Sequence, residues 1–313
     1  MTIPLGLGCM GMSGMYGATD ERESIRTIQT AIDRGVTLLD TGDFYGMGHN
    51  ELLVARAIQG RRDRVRLSVK FGALRGPDNS WNGIDTRPVA VKNFVAYSLK
   101  RLGVEVIDIY RPARLDPAVP IEDTVGAIAE LIKAGYVRSI GLSEVGVETI
   151  RRAQRVHPIV DLQIEYSIAS RAPEAKIFPA LHELGIGATL YGVFSRGLLT
   201  GSKPAATPGD FRAHLPRFSA AHREHNEAAV RELHEFARER GLTPGQLLVA
   251  WVLAKEPRFT PLIGAKTVAQ LEDALGALGR PLSAQDLAAL DGMAVVRGER
   301  YAPEAMSHLD SER

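Results

Sequence analysis

Short apolar runs rich in β-branched residues alternate with longer segments of helical periodicity along the whole chain, and this alternation restricts the fold more than any other feature. Strands are expected at Leu5–Met10, Val36–Asp40, Val65–Lys70, Val106–Arg111, Val137–Leu142, Val160–Glu165, Gly187–Tyr191 and Phe259–Ile263. Between them the pattern predicts helices, for example Asp20–Arg34 (capped by Thr19 or Asp20), Arg87–Leu102 and Ile121–Ala134. Gly35, Gly103, Gly135 and Gly185 stand where helices must stop. Eight strands separated by helices are the arithmetic of a closed parallel barrel. The expectation is therefore an α/β fold, a (β/α)8 TIM barrel, with residues 1–313 forming a single domain.

Two sections break the rhythm. Gly72–Arg87 reads as a long loop after the third strand, and Ser195–His225 as a longer one after the seventh. Loops of more than about 15 residues inside a domain are usually functional. Both follow strands, which puts them on the C-terminal face, where barrels build their sites. The polar last segment, Tyr301–Arg313, suits a tail packed across one end.

Charge narrows the partners. With 38 basic and 37 acidic residues the net charge is +1, so no global field draws nucleic acid or an anionic membrane surface. No apolar run approaches the roughly 20 residues that span a bilayer, and Met1–Met12 is glycine-rich without a basic start. Cys9 is the single cysteine and has no intramolecular disulfide partner. A cytoplasmic protein acting on a small molecule is expected, with no metal site; the sequence fixes no oligomeric state. His222 and His225 share a helical face but lack an evident third ligand, so they read as solvated surface.

The motif Gly6-Leu7-Gly8-Cys9-Met10-Gly11 matches a dinucleotide-binding fingerprint letter for letter. That fingerprint works only where the loop opens into a helix, and here it runs into Met12-Ser13-Gly14-Met15-Tyr16-Gly17. A second constellation says more. Asp40 ends the second expected strand, Tyr45 follows shortly after it, and Lys70 ends the third. Singly, Asp40 reads as a loop cap, Lys70 as a snorkelling surface residue and Tyr45 as packing. Together at one barrel mouth they form a proton donor: the lysine would lower the phenol's pKa from about 10 and the aspartate would hold the lysine. Such a tyrosine can protonate a carbonyl oxygen as hydride reaches its carbon.

This pattern resembles the aldo-keto reductase superfamily over nearly the whole chain. Gly6–Ser13 is similar to that family's first strand, Ser139–Glu144 to its G-x-S-N segment, and Asp161–Ser167 to its L-Q-x-E-Y-S strand. Ser195–Gly201 resembles its G-R-G-x-L-T-G loop, and Pro261–Lys266 its I-P-G-x-K segment. The resemblance implies Asp40, Tyr45 and Lys70 as catalytic residues. It implies Ser143 and Gln163 as the pair on the nicotinamide carboxamide, and Tyr191 as the ring stacked on it. Ser195, Arg196 and Gly197 would cover the pyrophosphate, while Gly264, Lys266, Gln270 and Asp273 would hold the adenosine end. Cys9, Met10 and Asp40 would border the same cofactor. Lys266 suits a 2′-phosphate and favours NADP(H) over NAD(H).

The chain also departs from the family. Where a histidine usually ends the fourth strand, Asp108-Ile109-Tyr110-Arg111-Pro112-Ala113 puts Ala113, as the potassium-channel β-subunit branch likewise has a non-histidine residue. Glu144 and Ala274 stand where asparagine is common. Trp81, Arg111 and Ala113 are expected to line the substrate pocket beside Tyr45, while Asp43 and His49 read as loop residues. Three readings of Ala113 follow: Tyr45 acts alone with water in the vacated space, Arg111 or Arg114 polarises the carbonyl, or turnover is weak. The expected activity is NADP(H)-dependent reduction of aldehydes or ketones, reversible as an alcohol dehydrogenase. The alternative is a nicotinamide-binding regulatory or sensor protein. A cofactor-free barrel hydrolase or lyase is disfavoured by Gly264–Lys266.

Overall fold

The computed structural model describes residues 3–204, 210–293, 296–307 and 309–312. In chain order its strands are β1 (Gly6–Gly8), β2 (Leu38–Gly42), β3 (Arg66–Phe71), β4 (Ala73–Arg75), β5 (Trp81–Ile84), β6 (Ile107–Pro112), β7 (Val137–Ser143), β8 (Ile159–Glu165), β9 (Gly187–Tyr191) and β10 (Thr260–Gly264). Its longer helices are α1 (Glu21–Asp33), α2 (His49–Ala57), α3 (Pro88–Leu102), α4 (Ile121–Lys133), α5 (Val147–Val156), α6 (Ile177–Leu184), α7 (Ala220–Glu239), α8 (Pro244–Lys255), α9 (Val268–Leu275) and α10 (Ala284–Asp291). Eight parallel strands close in the order β1-β10-β9-β8-β7-β6-β3-β2, making the expected (β/α)8 barrel. All five residues of β2 and all six of β6 are buried, as required of strands with helices outside and packed side chains inside.

Local chemistry explains the element ends. The Asp20 carboxylate accepts the Glu23 amide at 2.8 Å and starts α1. Gly103 and Gly185 close α3 and α6 at φ 64° and 66°, a conformation that costs a side chain but not glycine. The glycine-rich opening forms β1 and then a single 3-10 turn, Met10–Ser13. No long helix follows it directly, so the dinucleotide-fingerprint reading does not hold.

One expectation is corrected. Gly72–Arg87 is not a structureless loop: β4 pairs antiparallel with β5. Turn residues between them had masked the short flanking strands. The Gly76 amide donates to Ser80 O at 3.0 Å, the Asn79 amide to Gly76 O at 2.9 Å, and Asn79 takes φ 66°. The segment after β9 contains short 3-10 turns at Phe211–His214 and Pro216–Phe218 and then enters α7. Residues 205–209 of that expected loop lie outside the described residues, as do 308 and 313 of the tail. The rest of the tail does pack across the mouth: Gly146 N donates to Asp310 at 2.8 Å. Among the described residues no helix is long and apolar enough to cross a membrane.

Candidate active site

Parallel register delivers the central residues to one end of the barrel. Asp40 lies opposite Ser68, Gly42 opposite Lys70, and Ser143 opposite Gln163. Asp40 and Lys70 form a buried ion pair. Lys70 Nζ also donates to Gln163 Oε1 at 2.9 Å, while Gln163 Nε2 and Ser68 Oγ each donate to Asp40 Oδ2 at 2.8 Å. Every polar atom of this cluster therefore restrains its neighbour. Tyr45 leaves β2 on a turn closed by its amide to Gly42 O at 3.1 Å, and is 5% exposed. Its ring centroid is 5.1 Å from Lys70 Nζ. The sequence-predicted catalytic trio is thus brought together.

The electrostatics reverse one expectation. The Tyr45 phenol is pushed well above its ordinary value, by burial first and then by Asp40 and Tyr16, with Arg114 the opposing cation. Burial moves Lys70 itself downward while Asp40 holds it up, and the net direction for Tyr45 is upward, not the expected lowering. The direction of this shift keeps the Tyr45 phenol protonated at neutral pH.

Arg111 sits deeper than the trio. It is fully buried below the mouth, with Nη2 3.1 Å from Ser68 Oγ and 2.6 Å from Asp161 Oδ2. Gly141 leaves the room: a Cβ there would meet Arg111 Cζ at 3.0 Å. Thus the Arg111 guanidinium is held inside the barrel by Ser68, the Leu142 carbonyl and Asp161. Ala113 is buried, and the next residue, Arg114, donates to its carbonyl at 2.7 Å. Trp81 lies on β5 and is 53% exposed.

The expected cofactor residues divide. Ser143 Oγ is buried without a hydrogen-bond partner, an orphan that a carboxamide would satisfy. Both atoms of the Gln163 amide, by contrast, are occupied within the Asp40–Lys70 cluster. Tyr191 edges the mouth and donates to Glu144 Oε1 at 2.7 Å. Ser195, Arg196 and Gly197 are three successive residues at positive φ (46°, 56° and 90°), and Glu144 is another at 53°. Left-handed non-glycine residues store strain, and such strain gathers at functional sites. Lys266 Nζ donates to Tyr16 O at 3.1 Å and Gln270 accepts the Lys266 amide at 2.8 Å, with Gly264 exposed nearby. Asp273 turns away from that group, accepting Thr243 Oγ1 at 2.7 Å beside the start of α8. The Cys9 thiol is fully buried and burial raises its pKa, while Met10 is half-buried in the 3-10 turn.

Several residues that build the mouth had no sequence signal. Asn50 fastens the loops around Tyr45, donating to Cys9 O at 2.8 Å and Ser13 Oγ at 2.7 Å. Arg300 binds both oxygens of Glu144, and Tyr301 joins Arg114 and Tyr191 at the mouth. Asp43 is not a plain loop residue: it is buried, and burial followed by Glu51 pushes its carboxyl up to about 7. His49 begins α2 and links Ser13 to Glu21 at 2.9 and 2.8 Å.

The sequence model of the Aldo/keto reductase family matches residues 4–295. A probable aldo-keto reductase 1 of Glycine max is 40% identical over 290 residues, covering 90% of this chain and 83% of that protein. The aldo-keto reductase yakc of Schizosaccharomyces pombe, an NADP(+) enzyme by name, is 37% identical, covering 98% and 94%. Among solved structures, a glycerol dehydrogenase of Gluconobacter oxydans superposes with TM-score 0.82 at 26% identity, covering 99% of this chain and 93% of that one. A Klebsiella pneumoniae aldo/keto reductase in complex with NADP and acetate does so with 0.74 at 25%, covering 96% and 95%. A barrel with an Asp–Lys–Tyr cluster at its mouth and a family match over nearly its full length leaves one classification: the chain belongs to the aldo/keto reductase family.

Proposed function

We propose that this oxidoreductase reduces aldehydes or ketones to alcohols with NADP(H), reversibly, and that Tyr45 is the proton donor. The observation that carries the reading is the buried Tyr45 beside the Lys70–Asp40 pair, a protonated phenol held at the mouth of an otherwise closed barrel. The orphaned Ser143 Oγ and the Tyr191 ring fit a nicotinamide, and the left-handed turn Ser195–Gly197 fits the phosphates beyond it. When bound, the reduced cofactor supplies hydride. Tyr45 holds the proton that the carbonyl oxygen needs; Lys70, fixed by Asp40 and Gln163, sets the phenol's position and field. The enclosing side chains keep water from competing for that proton.

NADP(H) is favoured over NAD(H) by Lys266, which has Arg212 as a cationic neighbour, and by the NADP(+) and NADPH partners named for the relatives in S. pombe and K. pneumoniae. A small carbonyl or alcohol is the partner, and a cytoplasmic location suits the lone buried thiol. The test is NADPH consumption against aldehydes, ring ketones and quinones for wild type and Tyr45→Phe. Turnover is expected to fall about 10²–10⁴-fold in the variant with NADPH affinity unchanged. The second reading, a cofactor-binding sensor, rests on Ala113; it requires NADPH binding with no turnover on any of these substrates.

A further inference from the structure

The guanidinium groups around the barrel mouth are matched by carboxylates, with one exception. Arg196 and Arg217 both pair with Glu165, and Arg300 pairs with Glu144. Arg114 has no carboxylate in ion-pair contact among the described residues. Its hydrogen bonds go to two neutral oxygens: Nη1 donates to Ala113 O at 2.7 Å and Nη2 to Tyr301 OH at 3.3 Å. Burial opposes the Arg114 charge, but Tyr191, Tyr301 and Glu144 nearby outweigh it and keep the guanidinium charged, so a cation with no direct ion pair stands ready to meet an anionic or strongly polarised oxygen. Arg114 directly follows Ala113, the place where the family usually has its imidazole donor, and with Lys70 it is one of the cations near the Tyr45 phenol. Tyr301 is brought to the same place by the C-terminal segment. Its hydroxyl lies 3.5 Å from Tyr191 OH, and its ring is held under Arg196, 4.8 Å from the guanidinium carbon to the centroid.

We propose that Arg114 and Tyr301 form the donor pair that stands in for the missing histidine, binding the substrate's carbonyl oxygen as negative charge builds on it. This rests on the reductase reading above. Hydride arrives at the carbonyl carbon, the π electron pair moves to oxygen, and the Tyr45 O–H bond breaks to protonate that oxygen. Solvent then reprotonates Tyr45. Arg114 and Tyr301 keep their own protons and lend hydrogen bonds, strongest where the oxygen is most negative. Both are therefore catalytic residues, and Arg196 and Arg300 position Tyr301 between them. The Arg196 and Arg114 charges outweigh burial and move the Tyr301 phenol below its ordinary value, which makes it a better donor than an isolated tyrosine.

The experiment compares wild type, Arg114→Met and Tyr301→Phe, the last keeping the ring under Arg196. Steady-state turnover with the carbonyl panel, its pH profile, and NADPH affinity by fluorescence titration are measured for each. Arg114→Met is expected to lower kcat about 10²–10³-fold and Tyr301→Phe about tenfold, with NADPH affinity unchanged. Since Tyr301 donates only while protonated, wild-type kcat/KM falls as pH rises through its phenol; Tyr301→Phe abolishes that limb and Arg114→Met moves it upward. Ultraviolet difference titration of the cofactor-free protein supplies a readout independent of turnover. One tyrosine should ionise below the usual range, vanish in Tyr301→Phe and rise in Arg114→Met. Unchanged kcat in both variants overturns the proposal. So does tighter NADPH binding with kcat preserved in Tyr301→Phe, which would make the tail a plug over the cofactor groove. A wild type that binds NADPH but turns over nothing overturns the reductase reading itself, and the pair's role with it.

Discussion

Arg300 grips both carboxylate oxygens of Glu144, at 2.9 and 2.6 Å, across 156 positions of sequence. Glu144 follows β7 directly, so the contact pins the C-terminal segment to the barrel mouth. Burial alone would raise the Glu144 pKa, but Arg300 outweighs it and holds the carboxyl at about 2. Ser311 adds a hydrogen bond to the same carboxylate at 2.7 Å. Arg300→Met would leave a buried charge uncompensated, a loss on the order of 3–5 kcal/mol. We expect faster amide exchange in residues 303–307 and 309–312 before the barrel strands are affected. Exchange in that segment equal to wild type would show that Arg300 does not anchor it.

Asp40 and Lys70 provide a cycle that separates folding from catalysis. Lys70→Met strands Asp40 inside the barrel and should destabilise the protein by about 3–5 kcal/mol. Asp40→Asn in the same chain removes the stranded charge, and the double variant should recover most of that stability in urea unfolding. Activity should stay low in both, because neither keeps the Lys70 ammonium beside the Tyr45 ring. Recovery of turnover along with stability would mean that the pair serves only the fold.

The parts of this site that were legible in the sequence are those set by local rules. The strand Gly187–Tyr191 and the Asp20 cap follow from patterns within a few residues. Asp40, Tyr45 and Lys70 were legible because parallel strands end together at one face. The interior layer was harder to read. Arg111 stands opposite Lys70 in register, yet its side chain runs to Asp161, and only the space above Gly141 permits that. Tyr301 and Arg300 reach the mouth through contacts with residues more than 100 positions away, which no periodicity encodes. In the β4–β5 hairpin, the turn residues were visible but the short strands beside them were not.

Asp43 gives stability a pH dependence of known sign. Its folded-state pKa, about 7, exceeds the ordinary carboxyl value because burial and Glu51 oppose the charge. The folded state therefore holds a proton that the unfolded chain has released. That contribution is fully present below the unfolded value and is lost as pH rises through about 7. Asp43→Asn keeps an acceptor for the Gly72 and Phe44 amides but cannot ionise. Its melting temperature relative to wild type should therefore improve from pH ~5 to pH ~8. A constant difference across that range would mean that Asp43 is already charged at pH ~5.

Lys266 supplies the sharpest test of cofactor choice. Its ammonium donates to Tyr16 O at 3.1 Å, and its pKa is lowered by burial and then by Arg212. Arg212 is already paired with Asp210, whereas Lys266 makes no ion pair among the described residues, and a 2′-phosphate would supply one. Charge-assisted hydrogen bonds contribute about 1.5–3 kcal/mol, so Lys266→Met should weaken NADPH binding about 10–100-fold. NADH lacks that phosphate and should bind the variant as it binds wild type. Fluorescence titration with both cofactors measures the difference directly. Equal weakening for the two would assign Lys266 to the common part of the dinucleotide and remove the main reason for preferring NADP(H).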